Sequence, residues 1–174
     1  MGADREHEID ELLAERAITK VIHRYAQAAD RGDHSLLESC FWPDATMDAG
    51  IFDGPAKILV DAVRSGPVDP TSVSKHFVGN VTVEVNLSEH VARAECYCFG
   101  GSRSQTSDGT TVERTTHVRY VDRFEERSGE WRIRRRVVAY DWSTTPHVTG
   151  ENLMQPGFLT GKRGQDDIWH HILD

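Results

Sequence analysis

Two residues from distant parts of the chain could together perform acid–base chemistry. Asp30 lies at the end of a long amphipathic helical pattern, and His76 opens a strand-like segment. A carboxylate in contact with an imidazole keeps one ring nitrogen protonated and leaves the other free to act as a base. Tyr25, on the apolar side of the same helical pattern, is a third candidate. We therefore expect a catalytic site on these residues, provided that Asp30 and His76 meet inside a pocket.

Each candidate also has a purely structural interpretation. Asp30 and Asp33 could be exposed turn residues, a lone strand histidine often serves packing, and a tyrosine on an apolar face can be a core residue with a bonded hydroxyl. One observation favours function for Asp30, because a carboxylate in the last turn of a helix faces the negative end of the helix dipole. Tyr25 and Asp30 lie about 140° apart around the helix axis, so both reach one pocket only if it wraps around the helix end.

The composition indicates a globular chain with excess negative charge. Its 174 residues, 38% hydrophobic and 28% charged, are enough for one domain with a buried core. A net charge of −8 argues against general binding to nucleic acids or anionic membranes, which needs a basic surface. No apolar stretch approaches the ~18–20 residues of a spanning helix, so we expect a cytoplasmic protein without a membrane partner.

The three cysteines do not form a recognisable metal or disulfide pattern. Cys96 and Cys98 stand two positions apart in a strand-like run, and Cys40 is left over. We expect free thiols in a reducing compartment rather than a disulfide or a zinc site. The adjacent histidines His170 and His171 match no metal motif either, and we expect no metal.

Helical patterns occupy the first third of the chain. Apolar residues recur at helical spacing from about 6 to 31, and Gly32 then suits a helix end. A second helix is expected over 34–41, stopped by Pro43, and a third over 55–64 with proline in its first turn. A short strand over 44–47 and a turn at 53–54 separate the second helix from the third.

Strand patterns follow the helices. The expected strands cover 76–85, 91–99, 110–125 and 130–142, and a tight turn at 128–129 joins the last two. Helices first and long antiparallel strands afterwards predict an α+β domain, in which a mostly antiparallel sheet curves around the long helix and leaves an open-ended cavity. We expect one domain over 1–174, with a core at about 8–142 and an extension over 143–174 that could end in a helix over 167–172.

Several further residues are candidates for binding a substrate in that cavity. Alternation along the strand over 110–125 puts Arg114 on one face and His117 on the other, and it leaves open which face is inward. The expected substrate contacts are His117, Tyr97, Arg114, Trp42, Met47 and Tyr140. The basic run over 132–136 is interpreted as a solvated strand face or as partners for nearby glutamates.

The order of elements, together with three stretches, resembles the SnoaL-like branch of the nuclear transport factor 2-like superfamily. The stretches are Tyr25 to Asp30 followed by 41–45, then 76–80, then 120–124 with 129–133. In this branch, scytalone dehydratase, bile-acid 7α-dehydratase and hexachlorocyclohexane dehydrochlorinase use an Asp–His pair in a cone-shaped cavity. The resemblance implies a cone-shaped α+β barrel with a strongly curved sheet. It also implies that Asp30, His76 and Tyr25 are catalytic, that no cofactor is needed and that the chain forms a homotrimer. An acidic residue of the bile-acid enzyme would fall near Gly100, where this chain has none.

The resemblance and the residues together favour a cofactor-independent lyase. The expected reaction is elimination of water, halide or formaldehyde from a small aromatic or polycyclic substrate, with His76 as base. Two alternatives remain open. The chain could be the non-catalytic small subunit of an aromatic-ring dioxygenase or another ligand-binding module, or it could be an isomerase or polyketide cyclase that uses the same pair.

Overall fold

The first helix spans most of the domain and ends at the candidate site. The structure is a computed structural model that describes residues 2–50, 52–65 and 73–144. Helix α1 runs over Gly2–Arg31 and buries one apolar face, with Ile18 and Ile22 almost fully enclosed. It ends because Gly32 takes a positive φ of 64° and the Asp33 amide donates to the Ala28 carbonyl.

Two shorter helices follow. Helix α2 covers His34–Ser39, and the Asp33 side chain caps it by accepting a hydrogen bond from the Leu36 amide. The prediction of helix through residue 41 was wrong, because Phe41 already begins a strand that pairs with the sheet. Helix α3 covers Ala56–Ser65, and the preceding proline ends a short strand instead of opening this helix.

The strands form one mixed sheet. Among the described residues it has six strands in the order β2-β1-β6-β5-β4-β3, and it does not close on itself as the expected barrel would. β1 is parallel to β6, and every other neighbouring pair is antiparallel. The strands are β1 Phe41–Asp48, β2 Asp53–Pro55, β3 Val73–Asn86, β4 Val91–Gln105, β5 Thr111–Arg127 and β6 Glu130–Thr144. The predicted α+β class is confirmed.

The two faces of the sheet differ sharply. On β4 the small residues Ala94, Cys96 and Cys98 are buried against the helices, whereas Tyr97 and Phe99 between them are exposed. We call these the helix-covered face and the outer face.

The single-domain boundaries stay a prediction, and the predicted helix over 167–172 lies outside the described residues. None of the described helices is long and apolar enough to span a membrane.

Candidate active site

Asp30 and His76 are in direct contact. The imidazole Nδ1 of His76 lies 2.6 Å from Asp30 Oδ1, and the backbone amide of His76 donates to Asp30 Oδ2 over 3.0 Å. Both carboxylate oxygens are therefore engaged by one residue. The side chains of His76 and Asp30 are only 20% and 13% exposed. The contact is largely shielded from water and yet not sealed, as a substrate-binding residue requires.

The strand that carries His76 is shaped by the residues after it. His76 lies opposite Gly100 in the β3–β4 ladder, and the register shifts between Gly79 and Thr82. Asn80 sits inside that irregularity with a positive φ of 50°, a conformation that asparagine tolerates better than most residues. The Gly79-Asn80 pair thus accommodates a bulge close to the histidine.

The contact geometry specifies one imidazole tautomer. An ionised carboxylate only accepts hydrogen bonds, so Nδ1 carries a proton and donates a hydrogen bond to Asp30. The other nitrogen, Nε2, keeps its lone pair and can accept a proton from a bound molecule. The arrangement can therefore serve as a general base whose protonated form is stabilised by the adjacent carboxylate.

Tyr25 lies in an aromatic cluster around a buried arginine. Its ring contacts Phe41 and Tyr120 edge-on, with ring centroids 5.8 and 5.6 Å away. The Arg136 guanidinium lies over the Tyr25 ring at 4.1 Å and over the Tyr120 ring at 4.2 Å. Asp122 accepts two hydrogen bonds from Arg136, at 2.8 and 2.7 Å. Tyr25 is thus partly buried and packs against the core next to a buried ion pair.

Burial and charge shift the pKa values of this cluster. Burial raises the pKa of Tyr25, and the Arg136 cation opposes that rise. Burial also raises the pKa of Tyr120 well above its ordinary value and that of the Cys98 thiol. The Asp30 carboxylate adds to the rise in the pKa of Cys98. All three groups are neutral near pH 7.

Two of the expected substrate contacts share the sheet face of His76. His76, Gly100 and Thr116 are cross-strand neighbours and therefore share one face of the sheet. Arg114 precedes Thr116 by two positions on β5, so it lies on that face as well. Tyr140 pairs with Val118, whose side chain is on the helix-covered face, so Tyr140 is on that face too. The Tyr140 hydroxyl donates a hydrogen bond to Ser143 Oγ. Arg114 and Tyr140 are both exposed, toward the end of the sheet where His76 lies.

The structure does not bring the other four expected contacts to the Asp30–His76 pair. His117 and Tyr97 are on the outer face, where the His117 ring stacks on Trp142 at 3.5 Å. Trp42 is on β1, where its indole nitrogen donates to the Glu125 carbonyl, and it lines a surface groove of about 470 Å³ beside α2. Met47 is a fully buried core residue.

Sequence reasoning missed the Arg136–Asp122 pair. The basic run over 132–136 was interpreted as a solvated face or as partners for glutamates, but Arg136 is completely buried. The available signal was register: Asp122 alternates with Tyr120 and Phe124, which are apolar-face residues, and it pairs with Arg136 across the ladder. A carboxylate on a buried face needs a charged partner.

The described residues hold no group of three or more histidines, cysteines, aspartates or glutamates that could bind a metal ion. Cys40, Cys96 and Cys98 are free and buried. Burial raises the pKa of Cys40 to about 11 and that of Cys96 to about 12, so both are protonated at neutral pH. These thiols therefore behave as small core residues.

Solved structures of similar fold include enzymes and an enzyme subunit. A candidate scytalone dehydratase from Novosphingobium aromaticivorans is 19% identical with a TM-score of 0.65, over 86% of this chain and 97% of that one. A hexachlorocyclohexane dehydrochlorinase, LinA type 2, is 20% identical with a TM-score of 0.64, over 87% and 99%. The β subunit of a candidate aromatic-ring-hydroxylating dioxygenase from N. aromaticivorans is 19% identical with a TM-score of 0.57, over 76% and 92%.

At identities of 19–20%, these solved structures show that the fold is shared. No curated protein matches the chain. A family model described as a SnoaL-like domain matches residues 10–137, which include most of α1, the β3 histidine and the buried ion pair. On this match, the chain belongs to the SnoaL-like domain family, within the nuclear transport factor 2-like superfamily.

Proposed function

We propose that this protein is a cofactor-independent lyase in which His76 is the general base. The observation that carries the proposal is the 2.6 Å contact between His76 Nδ1 and Asp30, largely buried and oriented so that Nε2 is free. The substrate class is a small, largely apolar aromatic or polycyclic molecule. The fold that the chain shares with a candidate dehydratase and a dehydrochlorinase agrees with this reaction class.

The proposed step is a base-assisted elimination. His76 Nε2 takes a proton from a carbon of the substrate, the C–H electrons form the new double bond, and the leaving group departs with its bonding electrons as hydroxide or halide. Departing hydroxide takes up a proton to become water. In a retro-aldol variant, His76 takes a hydroxyl proton, the O–H electrons form the C=O bond of the released formaldehyde, and the electrons of the broken C–C bond stay on the substrate carbon, which takes up the proton from His76. A positioned base supplies ~10²–10⁴-fold, or about 3–5.5 kcal/mol of the barrier.

Four further residues have roles in this proposal. Asp30 accepts a hydrogen bond from the Nδ1–H group of His76 and stabilises the imidazolium as it forms. Tyr25 hydrogen-bonds the departing group or a developing oxyanion, and Arg114 and Tyr140 contact the substrate from the strands. His117, Tyr97, Trp42 and Met47 are not part of the proposed site because they lie on other surfaces or in the core.

The proposal is tested by the mass of the products. The purified protein is incubated with lignin-type dimers, steroids and halogenated rings, and products are analysed by mass spectrometry. We expect at least one substrate to yield a product lighter by water, hydrogen halide or formaldehyde. A product of unchanged mass would instead indicate an isomerase or cyclase, and it would overturn the lyase proposal.

A non-catalytic role is the second candidate, favoured by the fold shared with a dioxygenase β subunit. Such a subunit has no need for a shielded carboxylate–imidazole contact, and this is why we rank it second. Purification from the native host decides between the two. A protein that co-purifies with a large iron–sulfur subunit and converts no substrate alone is a partner subunit and not a lyase.

We also propose that the chain self-associates as a homotrimer. The outer face carries four aromatic rings in one row across β3, β4, β5 and β6, which we call the aromatic row: Phe77, Phe99, His117 and Trp142. Phe77 is 71% exposed and Trp142 is 52% exposed. A contiguous exposed apolar surface of this kind is typical of an interface. The cytoplasmic location stays a prediction.

A further inference from the structure

Arg136 is held in the core by one partner and has one nitrogen left over. Its Nε and Nη2 donate to the two carboxylate oxygens of Asp122, and the exposure of Arg136 is 0%. The remaining nitrogen, Nη1, is fully buried and has no hydrogen-bond partner among the described residues. A buried charged group with an unsatisfied donor is costly, and an apolar pair of similar size would often be at least as stable. Stability alone gives little reason for this arrangement.

The guanidinium is also confined by two tyrosine rings. Its central carbon lies 4.1 Å from the Tyr25 centroid and 4.2 Å from the Tyr120 centroid. The two rings meet edge-on at 80°, so the cation occupies the angle between them. The Asp122 carboxylate fixes the plane of the guanidinium, and the guanidinium in turn limits the positions open to both rings.

We propose that Arg136 is a positioning residue for Tyr25: held by Asp122, it fixes the Tyr25 ring and stabilises negative charge on the Tyr25 oxygen. This inference rests on the proposed function, in which Tyr25 contacts the departing group. It adds a proton transfer from the Tyr25 hydroxyl to the departing group, and Arg136 offsets the negative charge that then remains on the Tyr25 oxygen.

The transfer balances within the proposed elimination. When the C–O bond of an alcohol substrate breaks, the departing oxygen takes the proton of Tyr25 Oη and leaves as water. His76 has by then gained the proton removed from carbon, so the site holds an imidazolium and a phenolate. Return of the His76 proton to Tyr25, directly or through water, restores both groups. The Arg136 cation lowers the energy of the intermediate phenolate.

Several groups set the ionisation of Tyr25, and they act in opposite directions. Burial in the core raises the pKa of Tyr25, and Arg136 on β6 lowers it. Asp122 on β5 and Cys98 on β4 each raise this pKa. Phe41 and Tyr120 contribute their ring edges and no charge. Replacing Arg136 and neutralising Asp122 together removes both charges. Arg136 affects the pKa of Tyr25 more strongly than Asp122 does, so Tyr25 should then ionise at higher pH.

The test follows Tyr25 ionisation directly by fluorine NMR. The protein is labelled with 3-fluorotyrosine, whose phenol ionises at lower pH than tyrosine, and Tyr25→Phe assigns the resonance. In the paired variant Arg136→Gln with Asp122→Asn, which leaves no buried lone charge, we expect the midpoint to rise by about one pH unit or more, a tenfold change in the ionisation constant. Arg136→Lys, which keeps the cation without the planar fork, should give a smaller rise.

Arg135 provides the matched control. It is the exposed neighbour of Arg136 and lies 3.4 Å from the Thr46 hydroxyl, so Arg135→Gln should leave the Tyr25 midpoint unchanged. A Tyr25 midpoint that stays the same or falls in both Arg136 variants would overturn the inference. This readout needs no substrate, and it therefore separates failure of the inference from failure of the lyase proposal.

Discussion

At the scale of single residues, the Asp30–His76 contact explains why a carboxylate stands at an unfavourable helix end. The negative end of α1 repels the charge, but two hydrogen bonds from one histidine compensate for it. Gly100 also shapes the surroundings of His76. It lies directly across the ladder from His76, and the absence of a side chain there leaves room beside the imidazole.

Filling that room should impair catalysis without disturbing the fold. A Cβ atom at Gly100 would meet Thr116 at 3.9 Å, an ordinary contact, so the backbone tolerates a side chain. We expect Gly100→Leu to lower kcat/KM by about 10²-fold, because a substrate displaced by ~1 Å loses that much. Steady-state kinetics measures the loss.

The adjacent glycine is the control for this prediction. Gly101 pairs with Lys75 on the outer face, and a Cβ atom there meets nothing within 4 Å. Gly101→Leu should keep both kcat/KM and the melting temperature near those of the wild type. Equal activity of the two leucine variants would show that the substrate does not bind beside Gly100.

At the scale of elements, the sequence was sufficient for the type and order of the helices and long strands, but not for their ends or faces. The 3.6-residue period of α1 and the alternation in β4 are local signals, and both were interpreted correctly. The end of α2 was missed because pairing of Phe41 with Ile133 on β6, a distant contact, draws that residue into a strand. The open sheet depends on such distant pairings as well.

The inward face of the strands could not be deduced for a related reason. Alternation groups residues into two faces, but only packing against α1 decides which group is buried. A register shift between His117 and Val118 also places Trp142 against His117 and Tyr140 against Val118. Asp30, His76 and Tyr25 could be named as candidates because their motifs are local, whereas the burial of Arg136 depends on its cross-strand partner Asp122.

At the scale of the whole molecule, the exposed aromatic side chains of the outer face are the feature that points to assembly. The aromatic row runs across four neighbouring strands, with centroid separations of 6.5, 4.6 and 3.5 Å along it. Phe77, Phe99 and Trp142 are exposed and His117 is half-buried, and three exposed aromatic rings in one row are unusual for a monomer. The helix-covered face holds the proposed site, so assembly through the outer face would leave that site open.

A charge placed in the aromatic row should therefore disrupt assembly. We expect Phe77→Lys to shift the sedimentation coefficient from that of a homotrimer to that of a monomer, because a lysine cannot be desolvated there without a partner. Leu12→Lys on α1, at a position that is 63% exposed, should leave the assembly unchanged. A wild-type protein that sediments as a monomer would contradict the trimer proposal.

The most direct test of the account compares two histidines that each contact a carboxylate. His76 contacts Asp30 in the shielded site, whereas His90 contacts Glu126 with its own side chain 66% exposed. On a substrate that the wild type converts, His76→Ala should lower the rate of product formation by ~10²-fold or more, and His90→Ala should leave it unchanged. Both variants should keep the wild-type circular dichroism spectrum. Full turnover by a folded His76→Ala protein would contradict the claim that this imidazole removes the proton.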